Sequence, residues 1–393
     1  MTPAARVQAA IEVLDVILDG TPAEKALTGW ARGARYAGSK DRAAVRDHVF
    51  HVLRRQRSCA AHGGGLHGRS LMIGALRAEG TPPEMLFTGE GYAPTPLGEP
   101  DAMGGRPDAR DLWDLPDWLI DAFGQSLGSG AEAAAQALRN RAPVMLRANL
   151  RKISRDEARV VLAEDAIVAV PHPIAQTALR VEDGARRLSG SRAYQEGLVE
   201  LQDGSSQAAM EIVPVPEGGK VLDYCAGGGG KTLALAARMQ AWWFVHDAAP
   251  QRMKDLPDRA ARAGVSVEGL LPGQVAGQAP FDLVLCDVPC SGSGTWRRAP
   301  EAKWQLTSDR LSELVAIQAE ILCEAARMVA PGGVLAYATC SVLRAENQDQ
   351  IARFLSENPL WQGCQQRVWP VSDGGDGFFT AILSCAAEGI AQS

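Results

Sequence analysis

Two cysteines close apolar runs in similar surroundings. Residues 287–292 read Asp-Val-Pro-Cys-Ser-Gly after Phe281–Cys286, and residues 338–341 read Ala-Thr-Cys-Ser after Val334–Tyr337. The pattern places Cys290 and Cys340 at adjacent strand ends, where a thiolate can add to an electron-poor ring carbon. Such a pair suggests covalent chemistry on a pyrimidine ring. The plain alternative for each is a small buried apolar residue. A zinc site built from Cys286, Cys290 and Cys340 is a third reading, but the spacing lacks a Cys-x-x-Cys pair or a nearby histidine, so no metal is expected.

Upstream, Val221-Leu222-Asp223-Tyr224-Cys225-Ala226 runs into Gly227-Gly228-Gly229-Gly230-Lys231-Thr232 and then the helical pattern Leu233–Ala237. A strand, a glycine turn and a helix are predicted, and glycines let the backbone approach a ligand closely. The run lacks the first glycine of a phosphate-binding Walker loop at the required offset, since Asp223, Tyr224 and Cys225 stand there. Asp247 follows Trp242–His246, about where a ribose-binding acid ends the second strand of a doubly wound sheet. An adenosine-containing cofactor is therefore favoured, with Arg252 near Asp247 and Asp223 bracing the turn. Asp287 can face a base edge or brace its own loop. Lys231 can face the cofactor and Asp287 or be a surface lysine at a helix start.

These groups need a sheet to carry them. Val221–Tyr224, Trp242–His246, Leu283–Cys286 and Val334–Ala338 alternate with helical stretches, which predicts a doubly wound parallel sheet. Phe378–Leu383 adds a late strand. Before residue 206 the pattern differs. Val7, Ile11, Leu14, Ile17 and Leu18, then Val45, Val49, Val52 and Leu53, recur at helical spacing, predicting a small bundle over residues 1–80. Residues 81–111, rich in Gly and Pro, read as a linker or irregular arm. Residues 112–205 read as a helix followed by a small αβ module, with a strand over Pro143–Asn149. Residues 206–390 complete the chain's main domain, with a short polar tail after it.

The 393 residues carry a net charge of −6, which argues against indiscriminate nucleic-acid binding. Residues 1–78 nevertheless hold twelve Arg or Lys against six Asp or Glu, a surplus that marks either an RNA-facing surface or a solvated helical face. Arg147, Asn149, Arg151 and Lys152 cluster on the predicted strand and read as RNA contacts, with a charged strand edge as the alternative. No apolar stretch suits a membrane helix, no secretory signal opens the chain, and the cysteine usage suits reduced thiols. A cytoplasmic, monomeric protein without membrane or metal partners is expected.

Beyond these readings, the ordered set Gln202–Gln207, Asp223–Ala226 with its glycines and Lys231, Phe281–Gly292, Arg298–Glu301, Ala330–Gly333, Ala338–Ser341 with Glu346-Asn347, and Asp376–Phe379 resembles the RsmB/NOP/NSUN family of RNA cytosine-5 methyltransferases. The resemblance spans roughly residues 200 to 385. It implies an α/β class I methyltransferase (Rossmann-like) domain, S-adenosyl-L-methionine as cofactor and RNA as substrate. Ribosomal RNA is favoured by a weaker likeness of the first segment to a NusB-like domain, and transfer RNA is the alternative. It further implies that Cys340 attacks C6 of cytosine and that Cys290 helps resolve the adduct, with Asp287 and Lys231 beside them. The cofactor would lie against Cys225, Ala226, Gly227, Gly228, Gly229, Gly230, Lys231, Asp247, Arg252 and Asp287. For Cys225 itself, packing is the plainer reading. Two positions depart from the family: Gly228 stands where proline is usual, which implies a looser cofactor turn, and Leu270–Gln274 lacks the acid expected near adenine. A non-catalytic RNA-binding assembly factor and a nucleotide-dependent oxidoreductase are the readings from other classes; the intact cysteines and the missing dinucleotide fingerprint speak against them.

Overall fold

The computed structural model describes residues 1–386; the end of the predicted main domain and the polar tail lie outside the described residues. Two compact units result, one of Met1–Arg141 with Trp296–Gln305, the other of Ala142–Thr295 with Leu306 onward.

The first unit is helical: α1 (Pro3–Leu18), α2 (Ala23–Gly33), α3 (Ser39–Arg54), α4 (Gln56–Gly63), α5 (Gly68–Ala78), α6 (Asp117–Leu127) and α7 (Ala131–Leu138). Thr2 starts α1 by accepting from the Ala5 N–H at 3.2 Å, with Pro3 in the first turn where its missing donor costs nothing. Val7, Leu14, Val45 and Val49 fill the core at the helical spacing read from the sequence, joined by Leu71 and Ile73 of α5. The Gly- and Pro-rich stretch packs onto this bundle: Phe87 is buried, and Asp101 takes both Arg69 Nε at 3.0 Å and Nη2 at 2.8 Å. The segment from Trp296 belongs here too. Trp296 stacks on Phe123 with ring centroids 5.9 Å apart. Lys303 Nζ and Trp304 Nε1, each at 2.8 Å, donate to the Arg54 and Leu53 carbonyls at the open end of α3. Burial pushes the Lys303 amine down to about 7.

The second unit holds two sheets. The smaller has the order β2-β3-β1-β4, from β1 (Val144–Ala148), β2 (Val168–Pro171), β3 (Ala178–Asp183) and β4 (Val199–Leu201). Its helix Arg155–Glu164 begins with a capping box between Ser154 and Glu157. The larger sheet runs β10-β11-β9-β8-β5-β6-β7, from β5 (Lys220–Asp223), β6 (Trp242–His246), β7 (Glu268–Leu270), β8 (Phe281–Asp287), β9 (Val329–Thr339), β10 (Trp361–Trp369) and β11 (Phe378–Cys385). Strands β5 to β9 pair parallel, and β11 lies antiparallel beside β9. Val221, Leu222, Leu283–Cys286 and Leu335–Ala338 are buried on both faces, as near-continuous apolar strands of a covered parallel sheet should be. Chain order reverses between β5 and β8, so the crevice outside their carboxyl ends is the topological switch point. Among the described residues no helix is long and apolar enough to cross a membrane.

Candidate active site

The glycine turn leaves β5 at this switch point. Gly227 and Gly229 have φ of 49° and 74°, left-handed values that favour glycine. Asp247, buried at the end of β6, holds the turn: one carboxylate oxygen accepts from the Gly227 N–H at 3.0 Å and the other from the Ala249 N–H at 2.9 Å. Arg252 approaches the same carboxylate at 3.3 Å from a largely exposed position. Asp223 is fully enclosed. Burial pushes its carboxyl up to about 7, against the opposing hydrogen bond from Thr232 Oγ1 at 2.6 Å, and its other oxygen has no partner. Burial also raises the Cys225 thiol above its usual range, with Asp223 adding to the effect.

The turn expected to be loose at Gly228 is pinned by its carbonyls. Arg259 Nη1 donates to the Gly228 carbonyl, and a Cβ at position 228 would lie 2.6 Å from that nitrogen. Arg259 also meets Glu200 on β4 at 3.4 Å. Arg147, from β1, donates to the Gly230 carbonyl at 2.9 Å and to Gln202 Oε1 at 2.6 Å.

The basic run read as RNA contacts also makes bonds within the protein. Arg147 and Asn149 are buried, Arg151 and Lys152 are exposed, and each of the four side chains donates to at least one backbone carbonyl. Asn149 Nδ2 donates to the Gly197 and Ala263 carbonyls, both at 2.9 Å. Arg151 donates to Ala236 O at 3.1 Å, and Lys152 to Glu196 O at 2.8 Å and Arg262 O at 2.6 Å. Ala236 ends the helix Gly230–Ala236, and Arg262 and Ala263 end the helix Leu256–Ala263. Terminal carbonyls have no partner within their helix and carry the negative end of its dipole, so they draw cationic donors.

Across the crevice, Lys231 Nζ meets Asp287 Oδ2 at 2.5 Å. Burial works to lower the Lys231 pKa, but the Asp287 carboxylate overrides it and the net shift is upward, so the amine stays protonated. Cys340 is close enough to add to that upward shift. Cys290 Sγ and Cys340 Sγ stand 3.4 Å apart, both part-exposed. The hydrogen bond to Cys340, reinforced by burial, raises the Cys290 thiol well above its usual range.

A buried polar cluster lies beneath the two thiols. Glu346 accepts from Ser291 N at 2.7 Å, Ser291 Oγ at 2.5 Å, Gln318 Nε2 at 3.0 Å and Ser341 Oγ. Asn347 joins Thr339 Oγ1 at 2.6 Å and the Ser341 carbonyl at 2.9 Å. Glu346-Asn347 is visible in the sequence as part of the family pattern, yet its place under both cysteine loops is not. Arg259 gives no signal there at all, being one of two arginines on its helix. Among the described residues no group of three or more His, Cys, Asp or Glu has the arrangement of a metal site.

The arrangement thus offers a ligand cradle at the β5 turn and a thiol pair opposite it, bridged by an ion pair. The chain as a whole is similar to known proteins. Residues 210–384 match the family described as 16S rRNA methyltransferase RsmB/F, and residues 115–186 match the ferredoxin-like domain of the RsmF/B-like methyltransferases. A ribosomal RNA small subunit methyltransferase B of Cronobacter sakazakii is 37% identical over 70% of this chain and 67% of its own. The chain spans about two thirds of the length of such curated relatives, from 65% to 67% in the first three. A crystal structure named PH0851 superposes with a TM-score of 0.74 at 25% identity over 98% of this chain and 99% of its own. A methyltransferase homologue from Pyrococcus horikoshii gives a TM-score of 0.60 at 22% identity, over 70% of this chain and 96% of its own, and shares the fold. The chain belongs to the RsmB/F family of rRNA methyltransferases.

Proposed function

We propose that this chain transfers a methyl group from S-adenosylmethionine to C5 of a cytosine in RNA, with small-subunit ribosomal RNA as the substrate. The observation that carries the reading is the thiol pair, 3.4 Å apart, beside the Lys231–Asp287 ion pair at the carboxyl edge of the sheet.

The residues fit the cofactor. The Asp247 carboxylate keeps acceptor capacity beyond its two backbone partners, which suits ribose hydroxyls, and the unpaired Asp223 oxygen leaves a buried acceptor beside the turn. Cys225, Ala226 and Gly227–Gly230 would form the floor, with Arg252 at the rim. When bound, S-adenosylmethionine supplies an electrophilic methyl group.

Cytosine C5 is a weak nucleophile, so the ring must first gain electrons. In this reading the Cys340 thiolate forms a bond to C6, with the protonated Lys231 nearby to favour its charge. An ionised Asp287 has only acceptors to offer, so it faces the exocyclic amine of cytosine, which uracil lacks. After C5 takes the methyl group, its proton must leave and the C6–sulfur bond must break. Cys290, held beside Cys340, assists that elimination.

The test is to incubate the protein with protein-free small-subunit rRNA and isotope-labelled S-adenosylmethionine, then identify the labelled nucleoside by mass spectrometry. Label in 5-methylcytidine supports the reading, and label in another nucleoside overturns it. A parallel incubation with tRNA separates the two substrates: label entering tRNA alone overturns the rRNA assignment.

A further inference from the structure

The two cysteine loops are joined by one carboxylate. Ser291 follows Cys290 in the loop after β8, and Ser341 follows Cys340 in the loop after β9. Both serines donate to the same oxygen of Glu346, and their own Oγ atoms stand 3.4 Å apart. The other Glu346 oxygen takes the Ser291 N–H and Gln318 Nε2. A carboxylate has about four lone-pair sites, and here all four are filled.

The clamp is itself held rigidly. The Glu346 carbonyl accepts from Tyr337 Oη at 2.7 Å, and Gln318 is oriented by Gln350 Nε2 at 3.2 Å while also donating to the Pro289 carbonyl at 3.0 Å. Glu346 and Gln318 are fully buried, so water cannot replace any partner lost. Other bonds join the same two loops: Ser293 Oγ stands 2.8 Å from Ser341 Oγ and accepts from the Val342 N–H at 2.9 Å, and the Gly294 N–H donates to the Cys340 carbonyl at 3.0 Å, while the Glu346 carboxylate holds the serine beside each thiol.

We propose that Glu346 is a positioning residue that sets the separation and relative aim of the Cys290 and Cys340 sulfurs by binding the serine that follows each. The inference rests on the reading that the two cysteines act as a pair. It adds that their spacing is imposed by a side chain that touches neither substrate nor cofactor. Near-attack geometry tolerates little displacement, so loosening the clamp should lower the rate of the chemical steps while leaving RNA binding in place.

Glu346→Gln keeps the size of the side chain but replaces an acceptor oxygen with a donor nitrogen, and Glu346→Ala removes the clamp. Ser341→Ala removes a single strut and serves where either Glu346 variant fails to fold. Two measurements are made on each folded variant. In the first, diamide closes the two thiols to a disulfide, the pair giving two protons and two electrons to the azo bond, and the rate is followed by mass spectrometry without RNA or cofactor. In the second, kcat and KM for RNA methylation are determined. We expect closure and kcat to fall together, by about tenfold for Glu346→Gln and further for Glu346→Ala, with KM for RNA within about twofold of the parent. Closure at the parent rate in both variants overturns the proposal, as does a loss expressed in KM alone. If closure slows but the parent protein makes no 5-methylcytidine, the clamp stands and the functional reading falls.

Discussion

The loops carrying Cys290 and Cys340 and the run Arg147–Lys152 invite the same kind of functional reading in the sequence, and the structure treats them differently. The cysteines come together at part-exposed strand ends, their spacing held from below by Glu346. In the basic run the side chains bond to the protein's own backbone, with Asn149, Arg151 and Lys152 on the carbonyls that close two helices and Arg147 on the glycine turn. The difference lies in how many solutions a residue type has. An Arg or Lys answers to any concentrated negative potential, and a helix C-terminus supplies one as readily as a phosphate. Two cysteines at the ends of neighbouring buried strands have far fewer bland explanations, because the sheet topology brings them together.

The largest effect that would break this contrast is at the thiols. Cys340→Ala should abolish methyl transfer, by at least about 10³-fold, and give no covalent conjugate with RNA. Cys290→Ala should attack, methylate and stall, appearing as a shifted band on a denaturing gel with labelled RNA. A shifted band for Cys340→Ala instead would reverse the two roles. Arg151→Ala, by contrast, should turn over normally.

Asp247→Ala should weaken S-adenosylmethionine binding by about 1.5–3 kcal/mol, the worth of hydrogen bonds to a charged group, or roughly tenfold to a hundredfold in Kd by titration calorimetry. The Gly227 N–H would also lose its partner, so the loss includes a loosened turn. Arg252→Ala should cost much less, since Arg252 meets Asp247 from solvent. Equal affinity in Asp247→Ala would remove it from the cofactor site.

These contrasts follow what the sequence makes legible. Strands β5, β6, β8 and β9 announce themselves as apolar runs because a parallel sheet covered on both faces leaves little room for polar residues. Strand β10 does not: from Gln362 to Arg367 it is exposed and polar on both faces, an edge strand held by pairing with β11 rather than by a hydrophobic face. The segment Trp296–Gln305 sits beside the Pro-Cys motif in the chain yet packs with the first helices, because Trp296, Lys303 and Trp304 find partners about 170 to 250 residues away. Such partners are decided by tertiary packing. The same holds for Glu346, whose four donors come from three separate segments.

Arg147→Met sharpens the comparison at intermediate size. The buried guanidinium holds the Gly230 carbonyl and Gln202, so its loss should lower unfolding stability by about 1–3 kcal/mol in urea titrations. Methionine preserves much of the packing volume. RNA affinity measured on the folded variant should be unchanged, and a loss of RNA affinity without a loss of stability would restore the RNA-facing role.

The smallest expected effect is the most discriminating for the basic run. Lys152 is exposed, and its ammonium closes the helix Leu256–Ala263 through the Arg262 carbonyl. Helix-end cations of this kind contribute about 0.3–1 kcal/mol, so Lys152→Ala should shift the urea midpoint slightly. A phosphate contact would behave otherwise. Each one lost reduces the slope of log K against log salt by about 0.7 for single-stranded nucleic acid, because one fewer counterion is released. We therefore expect Lys152→Ala to bind RNA with the parent's salt slope across a titration, and a slope smaller by about 0.7 would return this lysine to the RNA surface.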